Sequence, residues 1–500
     1  MDKRIEAHSS DPEEGSRHLH PSSSIPLDQV PKSRWERSWP TIACGAGLFS
    51  DGYVQSVIGS VNTILGQIYG KAFTNSPQRK NVNAIAFAGT VVGQLVFGVL
   101  SDYWSRKNSL LISTIILIIF SALPAGAYGA GGTLGGMLAA LTAYRFLVGI
   151  GVGGEYPAGS VGAAESSAEL KTRPSQPMVH LLHQFSDRPR IRLWHFGAND
   201  LRPDLHRQSP PSCVAGSAWT CRGSPLSLLW LRIKLKEPEE YNRQRMTTYP
   251  YMLIIKFYWF RLLVVSIIWF IYDFLTYSFG IYSSSWIYLI LGDSYPLWVS
   301  LGWSTLINAF YIPGAFIGAF TSDWIGPKYA LVAGVTAQGV VGFIMSGLYG
   351  YLNTPAHVAG FVVVYGIFLA VGEIGPGDNI GLVASKTCAT AIRGQYYGIA
   401  AAMGKIGAFV GSYVFPIIQA AAGDDKVKAG QYPFYVSSSL CFFSAAIALF
   451  LLPNIGQDTI EEEDIKFRAY LEENGFDTST MGSKEFREAN VVDHEPKLDH

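Results

Sequence analysis

The sequence predicts an all-α polytopic membrane protein, and three observations carry that prediction. Charged residues make up 15% of the 500 and hydrophobic ones 49%, with a mean hydropathy of +0.20; a soluble domain carries about 25% charge. The charges are displaced to the ends, since 31 of the 76 Asp, Glu, Lys and Arg lie in residues 1–38 and 454–500. Between them runs a succession of apolar stretches, and a bilayer core about 30 Å thick needs about 20 such residues per helix. A soluble enzyme or a disordered scaffold would not have this distribution. The net charge of zero offers no basic field to nucleic acid.

Taken in order, residues 1–38 are a polar tail without an apolar core or a cleavage site, so insertion is expected to rest on the first spanning helix. Spans are expected near 40–66, 82–101, 109–130, 134–163, 261–290, 297–320, 329–350, 357–382, 396–421 and 432–453. Lys and Arg in short loops set orientation. Lys3, Arg4, Arg17, Lys32, Arg34 and Arg37 favour a cytoplasmic N-terminus, and Arg106, Lys107, the run Arg232 to Lys256, Lys328, Lys386 and Arg393 fall on the same side. Lys71, Arg79, Lys80, Lys426 and Lys428 disagree, and both termini inside remains the better fit. The five cysteines (Cys44, Cys213, Cys221, Cys388, Cys441) lack metal-ligand spacing and read as packing residues, so no metal is expected.

Two loops repeat one another. Gly98-Val-Leu-Ser-Asp102-Tyr-Trp-Ser-Arg106 closes one span, and Gly318-Ala-Phe-Thr-Ser-Asp323-Trp-Ile-Gly326-Pro-Lys328 closes another. Each sets a glycine near a helix end, then an aspartate, then a base in a tight turn. The glycine allows close helix contact, and the aspartate can meet the next helix's exposed N-terminus or a neighbouring base. Turn chemistry alone would explain one copy; two at matching positions indicate a duplicated transporter. The pair resembles the loop signature of the major facilitator superfamily, which implies a major facilitator fold of two six-helix halves.

On that template the chain divides into a cytoplasmic tail 1–38, an N-terminal half 39–171 with helices 1–4, and an anomalous polar segment 172–224. The end of helix 6 and a central cytoplasmic loop follow at 225–258, then a C-terminal half 259–453 with helices 7–12. An acidic cytoplasmic tail, with 13 acidic and 5 basic residues, occupies 454–500. Residues 172–224 stand where helix 5 and the start of helix 6 belong, yet hold seven arginines, six prolines and four histidines and no apolar run. Helix 5 and part of helix 6 are therefore read as missing or mistranslated; a genuine polar insert is the other reading.

Ionisable groups inside spans cost about 2.5–3.5 kcal/mol each on insertion scales and mark function by default. Asp51 lies roughly 18 Å into the first span, at 1.5 Å per residue. Arg145 and Glu155 set opposite charges on the fourth span, separated by a glycine-rich run. Trp269, Asp273 and Tyr277 share one helix face by their spacing. An aromatic stripe is usually core, but this one has a carboxylate in its middle. Lys405 is a buried ammonium that needs an anion or a carboxylate. A cavity with one cation and several acids suits an anionic substrate coupled to protons. No nucleotide-binding motif is present, so secondary transport is expected, with no catalytic residue and no cofactor beyond protons as the coupling ion.

The strings at 154–160 (Gly-Glu-Tyr-Pro-Ala-Gly-Ser), 269–274 (Trp-Phe-Ile-Tyr-Asp-Phe) and 385–402 resemble the fungal glycerophosphodiester (glycerophosphoinositol) permeases, in the phosphate:proton symporter branch. The resemblance implies uptake of glycerophosphodiesters across the plasma membrane. It also implies a proton-coupling set of Asp51, Arg145, Glu155 and Asp273, and a substrate set of Tyr156, Trp269, Asp273, Tyr277, Asn379 and Lys405. The phosphate carriers' Gly-Pro-Asn corresponds to Gly375-Pro376-Gly377, which leaves room for a larger phosphodiester, with Asn379 as the gapped match. Inorganic phosphate symport is the alternative substrate reading. A non-transporting sensor with the acidic tail as docking arm, or an inactive product of a misread gene, is the alternative of another class.

Overall fold

The computed structural model describes residues 76–126, 133–168, 239–292, 295–456 and 459–482, with scattered positions between 58 and 74 and between 229 and 237. The described residues contain helices and no strand. The N-terminal part supplies α1 (Pro77–Tyr103), α2 (Arg106–Ala122) and α3 (Leu134–Glu155), which runs through a π-helical turn, Tyr156–Ser160, into α4 (Val161–Ala168). A short α5 (Glu239–Gln244) precedes α6 (Tyr251–Leu291). Then come α7 (Leu297–Ala309), α8 (Tyr311–Ile325), α9 (Pro327–Leu352) and α10 (Val358–Gly372). A second π-helical turn, Glu373–Gly377, leads into α11 (Asp378–Lys386), followed by α12 (Arg393–Ala420), α13 (Lys426–Leu451) and α14 (Thr459–Glu473).

Eight stretches among the described residues are long and apolar enough to cross a membrane. They match the expected spans except the first and third. The span at 40–66 and the whole of 172–224 lie outside the described residues, apart from a few positions after 57. The span expected to reach 130 leaves the α-helix at Ala122, one residue before a 3₁₀ turn that contains Pro124.

Other boundaries move for local reasons. α6 is 41 residues long, about 60 Å at 1.5 Å per residue, twice a bilayer core. Its apolar segment is the expected span, while its first turns, Tyr251 to Phe260 with Lys256, extend beyond it. The expected loop 225–258 is therefore helical from Tyr251 onward. The span at 297–320 is broken at Phe310 because Pro313, in the first turn of α8, has no N–H for the carbonyl of residue 309. The expected span at 357–382 is interrupted at Gly375 (φ −83°, ψ −109°), next to Pro376.

Small residues bring the helices together. A Cβ on Gly153 of α3 would lie 2.7 Å from the α1 backbone at Gln94, and one on Gly398 of α12 would lie 2.5 Å from the Gln94 carbonyl. Thus α1 is gripped on one side by its own half and on the other by α12. Another substitution-sensitive seam joins α9 to α13, where a Cβ on Gly339 would stand 3.0 Å from the Phe442 ring. Backbones this close exclude side chains between them, which is how helices associate where the solvent is as apolar as leucine.

The start of the acidic tail is not solvated chain. α14 packs on the molecule itself: Phe467 and Leu471 are buried among Tyr258, Tyr396 and Cys388. Asp464 accepts from the Thr390 N–H and hydroxyl, both at 2.6 Å, and Glu463 pairs with Arg261. For residues 459–482 the docking arm of the alternative reading is thereby corrected: this part of the tail is packed on the chain's own helices.

Candidate transport site and its clasp

Among the described residues, three groups of buried charge take in the expected site residues and the first repeated loop. The first is built on α6 and α12, whose close packing requires Gly404 and Gly407. A Cβ on Gly404 would lie 2.9 Å from both the Asp273 carboxylate and Trp269 Nε1. Into this contact Lys405 extends its ammonium, donating to Asp273 Oδ2 at 2.7 Å and to the Tyr277 hydroxyl at 2.9 Å. Nζ stands 4.2 Å from the centre of the Tyr277 ring and 4.9 Å from that of Tyr156. The two phenol oxygens are 3.5 Å apart, so the π-helical turn of the N-terminal half touches α6 of the other half here. Trp269 packs edge-on against Tyr397, and Phe87 of α1 against Tyr277.

Five of the six expected substrate residues, Tyr156, Trp269, Asp273, Tyr277 and Lys405, thus meet at one place. Asn379 is used otherwise. Its amide donates to the carbonyls of Ile374 and Gly375, at 3.1 and 2.8 Å, and holds the kink of its own helix. Tyr272, the neighbour of Asp273, donates to Glu373 at 3.4 Å, so the widened turn brings a further carboxylate against α6.

The second group surrounds Glu155, which is fully buried. The Ser113 hydroxyl donates to Oε1 at 2.8 Å, and Arg232 makes a two-pronged ion pair with both carboxylate oxygens. The same guanidinium reaches Thr114 and the Leu110 carbonyl on α2. Arg145 is buried on α3, and Asp51 lies outside the described residues.

The third group is the first repeated loop. Asp102 accepts from the backbone N–H groups of Gly394 at 2.9 Å and Gln395 at 2.7 Å. A carboxylate there satisfies orphan donors at the N-terminus of α12 and faces the positive end of its dipole. The N-terminus this aspartate meets is thus not that of the next helix, α2, as expected, but that of α12 on the opposite half, while the expected neighbouring base is Arg106. Gly98 is required at this crossing, since a Cβ would lie 2.9 Å from the Gly394 carbonyl. Arg106 pairs with Asp102 and with Glu165 of α4 at 3.1 Å, and Arg393 joins Glu165 at 3.1 Å. Tyr241 of α5 donates to the Asp102 carbonyl at 2.9 Å and lies under Arg106. Burial pushes its phenol up to about 12, which keeps the donor proton in place. This clasp joins the two halves at one end of the bundle.

The second loop does different work. Gly326 takes φ +83° between α8 and α9, where a side chain would be strained. Lys328 donates to the carbonyl of Leu452 at 2.7 Å and to Asn454, tying α9 to the end of α13. Asp323 Oδ1 is buried without a hydrogen bond among the described residues.

Sequence reasoning missed Arg232 and Glu165. Arg232 stands in Leu228-Leu-Trp-Leu-Arg232-Ile, an arginine in an apolar run, which is the signal that singled out Lys405. The basic residues that follow it, from Lys234 to Lys256, mask that signal.

The sugar (and other) transporter family matches residues 39–175 and 231–467. The match is interrupted across the anomalous polar segment. A glycerophosphocholine permease of Candida albicans is 46% identical over 461 residues, covering 89% of this chain and 84% of its own. The major glycerophosphoinositol permease of the same organism is 46% identical over 464 residues, with the same coverage. Among solved structures, a proton:xylose symporter of the major facilitator superfamily bound to 6-bromo-6-deoxy-D-glucose superposes with a TM-score of 0.68 at 16% identity. It covers 86% of this chain and 99% of that one.

Proposed function

The chain belongs to the sugar (and other) transporter family of the major facilitator superfamily, among the fungal glycerophosphodiester permeases, and from that premise we propose that it imports glycerophosphodiesters by proton-coupled secondary transport. The observation that carries this reading is the Lys405 ammonium, buried between Asp273 and Tyr277 and faced by Tyr156.

The chemistry follows from what each group can give. A phosphodiester has one negative charge and two free oxygens. Lys405 supplies the cation, and the hydroxyls of Tyr277 and Tyr156 supply donors beside it. Trp269 offers an indole N–H and a flat apolar face to the glycerol or the headgroup. While Asp273 is ionised it holds Lys405; once protonated it gives the ammonium up to the phosphate. Proton and anion are thereby favoured together. Asp51, Arg145 and Glu155 complete the proton machinery in the N-terminal half. The clasp end faces the cytoplasm, with both termini on that side, and the membrane is the plasma membrane. A clasp closed there leaves the site to be loaded from outside.

Uptake of labelled glycerophosphoinositol at acidic and neutral external pH, in cells lacking their own carriers, tests the proposal. Uptake is expected to be stimulated by acid and abolished in Lys405→Ala at equal surface expression. Uptake that survives this substitution would remove Lys405 from the site. Displacement of the label by excess inorganic phosphate, with glycerophosphoinositol unable to compete for phosphate uptake, would favour the phosphate symporter instead.

A further inference from the structure

Arg232 belongs to neither the substrate cluster nor the clasp, yet it is fully buried and bonded through both terminal guanidinium nitrogens, Nη1 and Nη2, to one carboxylate. Among the described residues, the charged group that meets Glu155 is Arg232. From α2 it meets the Ser113 hydroxyl, and α1 lies alongside with Phe97 against Gly154. Neither of these titrates near neutral pH. Thr114 takes up part of the guanidinium.

The residues that follow Arg232 lead directly to the clasp. Leu235 packs with Leu110 and Ala158 beneath the ion pair. Glu237 accepts from the Lys107 N–H at 3.2 Å and from Ser105, at the start of α2. Tyr241 then grips Asp102 and Arg106. On the other side, Glu155 and Glu165 stand on one continuous helical stretch, α3 through α4, and Glu165 holds both Arg106 and Arg393. The clasp is therefore anchored twice to the Glu155–Arg232 pair, once through each partner's own segment.

We propose that Arg232 and a proton compete for Glu155, and that this competition couples proton binding to the opening of the clasp. The inference rests on the proton-coupled reading above and names a residue that acts within it. With Glu155 ionised, Arg232 is seated and its segment holds Tyr241 on the clasp. With Glu155 protonated, the guanidinium has lost its counter-ion in a buried place. Breaking such a pair from one side is strongly destabilising, because a charge is left uncompensated. The state in which Arg232 withdraws toward water, taking Glu237 and Tyr241 with it, is then favoured. When the clasp closes again, Arg232 returns and the proton leaves. Arg232 is a positioning residue: it touches no substrate, and its effect reaches the site through the movement of the halves.

The test is a distance across the clasp that does not depend on substrate. Spin labels at Trp104 and Met252, both exposed beside the clasp, would be placed in the full chain in lipid nanodiscs and read by pulsed dipolar spectroscopy at pH 7.5 and 5.5. In the wild-type background acid should shift the population to the longer distance by a factor on the order of 10, within the usual span of coupling between two sites. Arg232→Gln should flatten the response to below about twofold, and Arg232→Lys should restore part of it. Glu155→Gln, which fixes the neutral form, should show the open distribution already at pH 7.5. A full acid response in Arg232→Gln would overturn the proposal, as would a closed clasp at both pH values in Glu155→Gln or in the wild-type background. Acid-stimulated uptake is measured separately, so a clasp indifferent to Arg232 in a working symporter would sink this inference and leave the transport reading standing.

Discussion

A lysine inside a membrane must have its charge answered, and Lys405 is answered from one side by Asp273 and from the other by two phenols. This arrangement predicts an asymmetry between single and double substitutions. Removing one partner of a buried pair costs about 3–5 kcal/mol, while replacing both by apolar residues of similar volume is often neutral. Lys405→Met and Asp273→Leu should each lower the thermal midpoint of the purified protein in detergent, and the double variant should recover most of the loss. All three should fail to take up glycerophosphoinositol, because recovering stability does not return the cation. A double variant less stable than either single one would show that the two groups do not act as a pair. Gly404 permits a parallel prediction from space alone. A methyl there would meet Asp273 and Trp269, so Gly404→Ala should lower uptake well below wild type at unchanged surface expression.

At the scale of elements, α14 is a test of docking. Asp464 is the acceptor for both the N–H and the hydroxyl of Thr390, and the Thr390 carbonyl accepts from Arg106 of the clasp at 3.4 Å. Asp464→Ala leaves two buried donors unsatisfied, at about 1–3 kcal/mol each. That should loosen α14 and speed tryptic cleavage after Lys466 and Arg468, read by mass spectrometry of the released C-terminal peptide. Unchanged cleavage would mean that Phe467 and Leu471 hold the helix alone. The sequence made the apolar run of this tail invisible: Ile460, Phe467 and Leu471 are spread among acids, and only their common face shows them to be buried. By the same logic the spanning helices were legible because bilayer thickness sets a length that composition reveals. Their ends were not, because Pro313 and Pro376 break helices at single positions. The substrate cluster was legible from charge at membrane depth. The pairing of Glu155 with Arg232 was not, because 77 residues separate the partners and no local pattern records the contact.

For the whole molecule, the decisive quantity is the charge moved per cycle. Importing an anion against a negative-inside potential costs about 2.3 kcal/mol per charge per 100 mV, and each accompanying proton returns the same amount. If n protons enter with each substrate, a headgroup without charge, such as inositol, leaves n − 1 charges moved. A headgroup carrying its own positive charge, such as choline, leaves n. The relatives of this chain include permeases for both, so one protein can be offered both substrates. In oocytes or proteoliposomes clamped at a fixed voltage, the ratio of current to labelled uptake should therefore be larger for glycerophosphocholine than for glycerophosphoinositol. The quotient of the two ratios is n/(n − 1), or about 2 when two protons enter, by the same charge bookkeeping. With one proton the glycerophosphoinositol current vanishes while its uptake persists, and uptake becomes indifferent to voltage. A single cation at Lys405 beside acids on both halves predicts n above one. Equal current per molecule for the two substrates would mean that the choline charge is itself compensated by one proton fewer, which would make Asp273 the seat of the exchange between proton and headgroup.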